Sequence, residues 1–432
     1  MRVIVVGAGL AGLAAVCRLR EQGCEVELVE RSRLLGGKAT SFSVDGVEVD
    51  NGQHVHLGCC TEYLDFVDGL GMSASLWNQP RFEVTVLSRN GVSSRLRAAR
   101  RGPAALRLMP SFIRYAPLSA AAKFQVARAL RHSGANPSEG ETFGGWLRRH
   151  GQGHSAIRGF WELFVVPALN ADIEEVSAAD ALFVVRTAFA GDPAAARIGW
   201  SRVPLARIAE AAAGRADHIR TRTGVVSLIE AGGKVTGVRC ANGEEICADA
   251  VVLAVPPARL AAILGDAPRF GVLGLPAFQS RAIVDVHLWF DTPEVGLPFA
   301  AVLDSPLQWV FEKRPGYLCC SMSAADHLVR RPESELVELC RAELAAIWPR
   351  LAAARLLRGA VTRDPDATFV PRPGLRRPGP ATTMSNLTIA GAWTATGWPA
   401  TMESAVRSGR AAADALTVAS PQAMRALEWV YG

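Results

Sequence analysis

The feature that most constrains this chain is a glycine-rich turn between two short apolar runs near the N-terminus. Residues 3–6 predict a buried parallel strand, and the sequence Gly7-Ala8-Gly9-Leu10-Ala11-Gly12 follows at once. Apolar residues at helical spacing predict a helix over residues 10–19, and residues 26–29 predict a second strand that ends at Glu30. This order of elements predicts a Rossmann-type βαβ unit that binds a dinucleotide.

The glycines and the acid of this unit have separate roles. Gly7 permits the tight turn, Gly9 lets the backbone approach a pyrophosphate, and Gly12 permits close packing of helix on strand. The N-terminus of the helix offers free N–H groups to the phosphates. A carboxylate at Glu30 is placed to accept hydrogen bonds from a ribose. The residues predicted to bind the dinucleotide here are Gly7, Gly9, Leu10, Ala11, Gly12 and Glu30.

Size and composition favour a large cytoplasmic protein. The 432 residues and 49% hydrophobic content are enough for two domains or one composite domain. No stretch reaches the roughly 18 uninterrupted apolar residues of a spanning helix, and the first residues enter a strand without a leader. Nine cysteines without a CxxC pair indicate reduced thiols. His54 and His56 lack further ligands at metal-binding spacing, so no metal site is expected.

Charge is unevenly distributed along the chain. Residues 84–138 contain ten basic residues and no acidic one, whereas the whole chain carries +6. Apolar residues interleave with these charges, and this mixture is typical of a helical segment that lies on an anionic membrane surface. A solvated, arginine-rich helix face is an equally compatible interpretation. Nucleic acid is not expected as a partner, because the segment matches no nucleic-acid-binding module.

The remaining pattern alternates between helical and strand-like regions. Residues 142–150, 156–170 and 333–347 predict helices, and three runs between residues 225 and 247 predict an antiparallel meander. Hairpin turns are predicted at Asp45-Gly46 and at Asn90-Gly91. Residues 372–383 predict an exposed connection. The final elements are a strand over 386–391 and a helix over 400–416, with Pro399 at the opening of the helix.

A predicted strand over residues 280–290 carries two polar groups on an otherwise apolar face. Alternation places Asp285 and His287 on one face, with Ile283 and Trp289, and the opposite face is entirely apolar. A carboxyl group and an imidazole in such surroundings are candidates for acid–base chemistry. Each is equally compatible with a structural hydrogen bond.

Motifs from both ends of the chain resemble flavin-dependent amine oxidases and phytoene desaturases. These motifs are GAGLAGL with Glu30, the Gly36-Gly37 doublet, the meander followed by ADAVVLAVPP, and the terminal NLTIAGAWTATGWPATMESAVRSG. Within that superfamily, five further stretches resemble the hydroxysqualene dehydroxylases, also called squalene-associated FAD-dependent desaturases, of hopanoid biosynthesis. The stretches are VDNGQHVHLG, FWELFVVPALN, PLQWVFEK, RDPDATF and GWPATMESAVRSG.

The resemblance implies an α/β fold in which a Rossmann-type FAD-binding domain interleaves with an α+β substrate domain. The expected FAD-binding domain comprises 1–66, 200–265 and 385–432. The expected substrate domain comprises 67–199 and 266–384, and contains a mixed sheet and a helical basic segment at 95–135 that faces the membrane. A cytoplasmic protein, peripheral on the inner face of the plasma membrane, is the corresponding expectation.

FAD is the cofactor that the resemblance implies. The glycine-rich turn after the first strand would hold the ADP half of FAD. Arg31, Gly36, Gly37 and Lys38 would lie on the pyrophosphate side, and Val226 at the adenine. The turn and helix start near residues 397–402 would lie at the isoalloxazine, where a positive helix end favours reduced flavin. The residues implied at this end are Gly391, Ala392, Thr401 and Met402.

One residue departs from the family pattern. Gly-Asp-Trp is usual where this chain has Gly391-Ala392-Trp393. A carboxylate that would engage the phosphate or ribityl part of FAD is therefore missing, and the loss of one charged hydrogen bond corresponds to about 1.5–3 kcal/mol. The departure is also compatible with a paralogue that acts on another substrate.

The implied reaction is reductive, with reduced FAD as the hydride source for an allylic carbon of hydroxysqualene as its hydroxyl leaves as water. The leaving group needs a proton, and the candidate general acids are Asp50, His54, Asp285 and His287. Asn51 and Gln53 would orient the alcohol.

The competing functions are an oxidative isoprenoid desaturase, a flavin amine oxidase, and a non-catalytic flavin-stabilised membrane scaffold. Amine oxidation in this superfamily often uses a lysine. Of the four lysines, Lys38 follows the glycine doublet, Lys123 lies in the basic segment and Lys234 in a hairpin. Only Lys313 remains for this role, which argues mildly against an amine substrate. The sequence leaves the direction of hydride transfer and the electron donor open.

Overall fold

The computed structural model describes residues 1–44, 46–89, 92–102, 106–187, 192, 194–292 and 295–418. The predicted turn residues Asp45, Asn90 and Gly91, and residues 419–432 of the expected cofactor domain, lie outside this range. The described strands are β1 (Arg2–Val6), β2 (Glu25–Val29), β3 (Ser41–Val44), β4 (Val47–Asp50), β5 (His56–Leu57), β6 (Leu76–Asn78), β7 (Glu83–Ser88), β8 (Ser93–Arg97), β9 (Ile198–Ser201), β10 (His218–Arg220), β11 (Val225–Ala231), β12 (Lys234–Cys240), β13 (Glu245–Cys247), β14 (Ala250–Leu253), β15 (Ser280–Phe290), β16 (Phe299–Leu303), β17 (Trp309–Arg314), β18 (Tyr317–Met322), β19 (Leu356–Phe369) and β20 (Leu387–Ile389).

Helices connect and cover these strands. The described α-helices are α1 (Leu10–Glu21), α2 (Thr61–Gly69), α3 (Met109–Ile113), α4 (Ala120–His132), α5 (Phe143–Arg149), α6 (His154–Ala156), α7 (Glu162–Leu169), α8 (Ala178–Val185), α9 (Leu205–Ala213), α10 (Pro257–Leu264), α11 (Glu333–Ile347), α12 (Pro349–Ala353) and α13 (Met402–Val418). A π-helical turn over Ile157–Trp161 joins α6 to α7. Within the described ranges, no helix is both long and apolar enough to cross a membrane.

A five-stranded parallel sheet forms the centre of the predicted dinucleotide unit. Its order is β10-β2-β1-β14-β20, so strands from the N-terminal, middle and C-terminal parts of the chain lie side by side. Val3 and Val5 of β1 pack under α1, whereas Ile4 and Val6 pack toward the meander β11-β12-β13 and α10. Because both faces of the sheet are covered, β1 is apolar throughout. The Rossmann-type fold predicted from the sequence is confirmed.

Helices α1 and α13 cross closely above this sheet. A Cβ atom added to Gly409 would lie 2.0 Å from the carbonyl oxygen of Ala11, so only glycine permits this approach. In the first turn of α13, Glu403 is fully buried, and its carboxylate accepts hydrogen bonds from Tyr63 N at 2.8 Å and Arg407 Nε at 2.7 Å. The last described helix therefore packs on the first helix and caps the N-terminus of α2.

The second large layer is a seven-stranded mixed sheet of order β19-β15-β18-β17-β16-β7-β8. Strands β7 and β16 are parallel, and the other neighbouring pairs are antiparallel. The strand over residues 280–290 and the helix over residues 333–347 have the predicted bounds. On β15, Val284, Val286 and Leu288 pack against α11, and this arrangement confirms the alternation read from the sequence.

Three local expectations need correction. The final helix begins at Met402 rather than at residue 400, because the hydroxyl of Thr401 accepts a hydrogen bond from Ser404 N at 3.2 Å and marks the helix start. The basic segment at 95–135 is not continuously helical: it begins at the end of β8 and contains two helices, α3 and α4. The connection over residues 372–383 is not wholly exposed, because Arg377 is half-buried.

Candidate functional site

The glycine turn after β1 has the shape of a phosphate-binding loop. Gly7 has φ +102°, and a Cβ there would lie 2.4 Å from Ala254 O. A Cβ on Gly12 would lie 1.9 Å from Gly7 O, whereas a Cβ on Gly9 would meet no described atom within 4 Å. Gly7 and Gly12 are therefore glycine because the protein packs against them, and Gly9 leaves open space that a pyrophosphate can approach.

Leu10 and Ala11 open α1 directly after this turn. Gly9 is the N-cap residue, and within the described residues no side chain caps the helix. The first N–H groups of α1 are therefore available to an anion, and the helix dipole favours negative charge at this end.

The glycine doublet packs on the same loop. Gly36 N donates a hydrogen bond to Ala8 O at 2.8 Å, and a Cβ on Gly37 would lie 2.9 Å from Gly9 Cα. Lys38 follows, but its ammonium group bonds Asp364, with Nζ–Oδ2 at 2.9 Å. Any role of Lys38 at the pyrophosphate must therefore come from its backbone.

Glu30 also contacts the glycine turn. Its carboxylate accepts hydrogen bonds from Ala8 N and from Ser32 N, each at 2.7 Å. The chain from β10 runs beside it, since Thr223 N donates to Glu30 O at 2.9 Å. Arg31 lies next to the start of β11: a Cβ on Gly224 would lie 3.8 Å from Arg31 Cβ.

Val226 follows two residues after Gly224. It occupies an irregular position in the pairing of β11 with β12, and its side chain is exposed. The predicted ribose and adenine contacts therefore lie along one edge of the molecule.

The C-terminal motif forms a loop that an arginine holds from one side. Gly391 N donates to Ser408 Oγ at 2.9 Å, which ties the end of β20 to α13. Arg377 donates to the carbonyl oxygens of Ala392 at 2.8 Å, Trp393 at 3.1 Å and Trp398 at 2.6 Å. Burial lowers the pKa of Arg377 to about 10.

The loop leads into the start of α13 at Thr401 and Met402. The described residues thus provide a glycine cradle, an uncapped helix end and an arginine-braced loop. These features fit FAD. The family pattern assigns the reactive ring of FAD to the C-terminal loop. Ala392 contributes its backbone carbonyl to the arginine brace, and its short side chain supplies no charge.

A polar cluster lies between β4 and the seven-stranded sheet. Asp50 accepts hydrogen bonds from Ser41 Oγ at 2.7 Å and Leu205 N at 3.0 Å, and its other oxygen lies 3.4 Å from Lys313 Nζ. Lys313 also donates to Gln53 Oε1 at 3.1 Å. Lys313 is thus part of the cluster, although the sequence alone assigned it no place.

Asp285 lies directly beneath the loop after β4. Gln53 N donates to Asp285 Oδ1 at 3.3 Å, and a Cβ on Gly52, where φ is +95°, would lie 2.6 Å from Asp285 Oδ2. Glycine therefore lets the loop cross the carboxyl group. Asp285 is buried, and this burial raises its pKa from 3.8 to about 6. Cys319 Sγ, on the neighbouring strand, lies 3.9 Å from the same carboxyl group.

The two candidate histidines are in different positions. His287 is buried, with Nδ1 2.8 Å from Tyr317 Oη and Nε2 3.4 Å from Thr362 Oγ1, and burial lowers its pKa to about 4. His54 is half-buried with Nδ1 3.4 Å from Gly52 O, and burial lowers its pKa as well. The structure thus brings Asp50, His54 and Asp285 to one loop, while both ring nitrogens of His287 already have protein partners.

Two residues of the site were missed or undervalued by sequence reasoning. Arg377 stands in RRPGP, a stretch that reads as a connecting loop, and no local signal identifies it as a brace. Lys313 could have been found from PLQWVFEK, because alternation along this strand places Trp309, Phe311 and Lys313 on the face opposite Val310.

Comparisons with known proteins agree with this geometry. Residues 10–417 match the model of the family described as flavin containing amine oxidoreductase. A hydroxysqualene dehydroxylase from Rhodopseudomonas palustris is 31% identical over 96% of this chain and 98% of its own length. A 15-cis-phytoene desaturase from Synechococcus elongatus is 24% identical over 98% of both chains. A putrescine oxidase structure superposes with a TM-score of 0.73 at 18% identity, over 97% of this chain and 99% of that one.

The fold and the site therefore define an FAD-dependent oxidoreductase. The chain belongs to the flavin-containing amine oxidoreductase family, and within it to the group that contains the hydroxysqualene dehydroxylases and the carotenoid desaturases. The family and the FAD cofactor inferred from the sequence motifs are confirmed. The individual contact residues and the domain boundaries remain predictions.

Proposed function

We propose that this protein is a hydroxysqualene dehydroxylase, which reduces hydroxysqualene to squalene in hopanoid biosynthesis. The name of the Rhodopseudomonas palustris relative, aligned over nearly the full length of both chains, supports this substrate. The observation that carries the proposal is the buried carboxyl group of Asp285, whose raised pKa of about 6 suits a proton donor beside a polar loop.

The reaction breaks a C–O bond and forms a C–H bond at the same carbon. Reduced FAD, when bound, supplies the hydride. Hydroxide is a poor leaving group, so a proton must reach the departing oxygen to give water. In the proposed mechanism the carboxyl proton of Asp285 joins the leaving hydroxyl, and one alcohol, one hydride and one proton give one hydrocarbon and one water.

Asp285 is the best placed of the four candidate acids. Asp50 is already engaged by Ser41 Oγ, Leu205 N and the ammonium group of Lys313. The lowered pKa of His287, about 4, leaves its imidazole neutral at physiological pH, and burial shifts His54 in the same direction. Of Asp285, His54 and His287, only Asp285 has a pKa that burial shifts toward the protonated form.

Gln53 is the proposed orienting group for the alcohol. Its backbone N–H contacts Asp285, and its side-chain oxygen accepts a hydrogen bond from Lys313. The lysine therefore fixes which way the amide points. The amide nitrogen donates to His54 O at 3.3 Å, and in the proposed scheme its second N–H donates to the alcohol. In this scheme Asp50 and Lys313 are positioning residues, because they act through Gln53.

Oxidative desaturation is the second candidate, and the carotenoid desaturase relatives support it. That reaction removes a proton, so Asp285 would act as a base rather than as an acid. Amine oxidation also regains support, since Lys313 lies in the cluster and the scarcity of lysines no longer counts against it.

The direction of reaction can be tested by anaerobic single turnover. The holoenzyme is reduced chemically, mixed with hydroxysqualene, and followed by flavin reoxidation and by mass analysis of the product. Squalene formed in step with reoxidation supports the proposal. Recovery of intact hydroxysqualene, or turnover only when oxidised enzyme is given a carotenoid precursor or an amine, would refute it.

The role of Asp285 is tested by the pH profile of the same reaction. An acid with a pKa of about 6 predicts a rate that falls about tenfold for each pH unit above that value. Asp285→Asn should lower the rate by about 10²–10⁴-fold and abolish this slope, whereas the matched change at a neighbouring position of β15, His287→Gln, should retain the slope. A rate that rises with pH would identify a base instead.

A further inference from the structure

The surface of α3 and the first part of α4 is apolar and exposed. Leu106, Met109, Ile113 and Phe124 have exposed fractions of 54%, 41%, 63% and 71%. Leu106 precedes α3, and Met109 and Ile113 lie four residues apart on one side of that helix. No described large apolar side chain is more exposed than Phe124. We call these four residues the α3–α4 patch.

The other side of the same segment is firmly packed. Phe112 contacts Phe160 edge to face, with ring centroids 5.6 Å apart. Tyr115 is fully buried, and its hydroxyl donates a hydrogen bond to Gly159 O at 2.7 Å. The apolar residues of the segment thus divide into a buried set and an exposed set. The exposure of the patch does not come from a loosely attached helix.

Two cations beside the patch, Arg114 and Lys123, bind neutral carbonyl groups, whereas Arg107 lies 4.0 Å from Asp192. Lys123 Nζ donates to Ile113 O at 2.7 Å, a bond that also joins α4 to the end of α3, and Arg114 Nη1 donates to Pro110 O at 3.4 Å. These partners are neutral carbonyl groups, so the positive charges are not cancelled. Arg97 differs, because it pairs with Glu83 at 2.9 Å.

We propose that the α3–α4 patch docks on an anionic lipid bilayer, with its apolar side chains at the acyl boundary and Arg114 and Lys123 among the headgroups. Apolar area combined with uncancelled positive charge is the combination that anionic bilayers recognise. A second copy of this chain is a poorer occupant, because a symmetric contact would set these cations against the same charges. The proposal does not depend on the reaction that the enzyme catalyses.

The apolar contribution is tested by vesicle co-sedimentation of the purified holoenzyme. Vesicles of phosphatidylglycerol in phosphatidylcholine should bind the protein, and pure phosphatidylcholine vesicles should bind it at least tenfold more weakly. Ile113→Ser with Phe124→Ser should reduce binding at least tenfold. Leu273→Ser is the matched control, because Leu273 is 64% exposed at another site, and it should change binding less than twofold.

The electrostatic contribution is tested with charge variants and salt. Arg114→Gln and Lys123→Gln should each weaken binding about five-fold, and higher salt should weaken the wild type. Lys234→Gln, at an exposed position of the meander, should have no effect. Retained FAD shows that each variant is folded. Equal binding to neutral and anionic vesicles, or a patch variant that abolishes dimerisation while vesicle binding is unchanged, would overturn the proposal.

Discussion

Replacing Arg377 with methionine tests whether the C-terminal loop of the FAD site is held by this arginine. Methionine keeps the unbranched apolar stem, but it lacks the guanidinium and so removes all donors together with the cation 5.1 Å from the ring centroid of Phe369. The carbonyl oxygens of residues 392, 393 and 398 then lose their hydrogen bonds to the guanidinium.

The magnitude follows from two opposing contributions. A hydrogen bond to a charged group stabilises by about 1.5–3 kcal/mol, and three carbonyls are involved. Burial of Arg377 opposes this: its pKa falls from 12.5 to about 10, which corresponds to about 3 kcal/mol at 1.36 kcal/mol for each pH unit. The bonds exceed that cost, so Arg377→Met should lower the free energy of unfolding by about 1.5–6 kcal/mol.

Urea unfolding followed by tryptophan fluorescence measures this loss, and visible absorbance after gel filtration measures retained FAD. We expect a lower unfolding midpoint and depleted FAD, since the loop leads into the helix start that the family pattern assigns to the flavin. Arg376→Met is the matched control because Arg376 is adjacent in sequence and exposed. If the two variants agree within about 0.5 kcal/mol and retain equal FAD, the loop is held by other contacts and the reasoning is wrong.

Two other substitutions test the packing and the electrostatics of the site. Gly12→Ala places a Cβ 1.9 Å from Gly7 O, so this variant should purify largely without FAD. Gly214→Ala is the control, because its Cβ would lie 3.4 Å from the nearest atom, and it should retain FAD. Retention of FAD by both variants would refute the packing argument. The pKa of Asp285 is raised to about 6, so its contribution to stability is fully present below about pH 4 and is lost as pH rises through 6. Asp285→Asn should therefore gain about 3 kcal/mol over the wild type between pH 4 and pH 7 in urea titrations. His287→Gln is the control with the opposite pH dependence, because the lowered pKa of His287 makes the stability of the wild type fall as pH falls from 6.5 to 4. A stability difference between Asp285→Asn and the wild type that does not change from pH 4 to pH 7 would contradict the account.

The elements that could be predicted from sequence are those with a complete local signal. The β1–α1–β2 unit, the strand at 280–290 and the helix at 333–347 each carry their own periodicity and boundaries within one stretch of chain. Asp285 was found in the same way, because a carboxyl group on an apolar strand face is visible in the sequence. Its pKa could not be predicted, since that depends on the loop that covers it.

The missed features all depend on partners that are distant in the chain. Lys38 bonds Asp364, 326 residues away, and Lys313 reaches Asp50 across 263 residues. No periodicity encodes such a pair, because each lysine and each aspartate occurs in an ordinary local setting. Arg377 is similar, since a guanidinium that binds backbone carbonyls requires no particular residue type on the other side.

The position of β20 and α13 determines when this protein can acquire its cofactor. Glu403 caps α2, Gly409 lies against Ala11, and β20 completes the edge of the parallel sheet. These contacts join the last part of the chain to the first, and domains generally fold in the order in which the ribosome delivers them. The glycine loop is therefore synthesised before the elements that pack on it, and we expect FAD to bind stably only after β20 and α13 have been added.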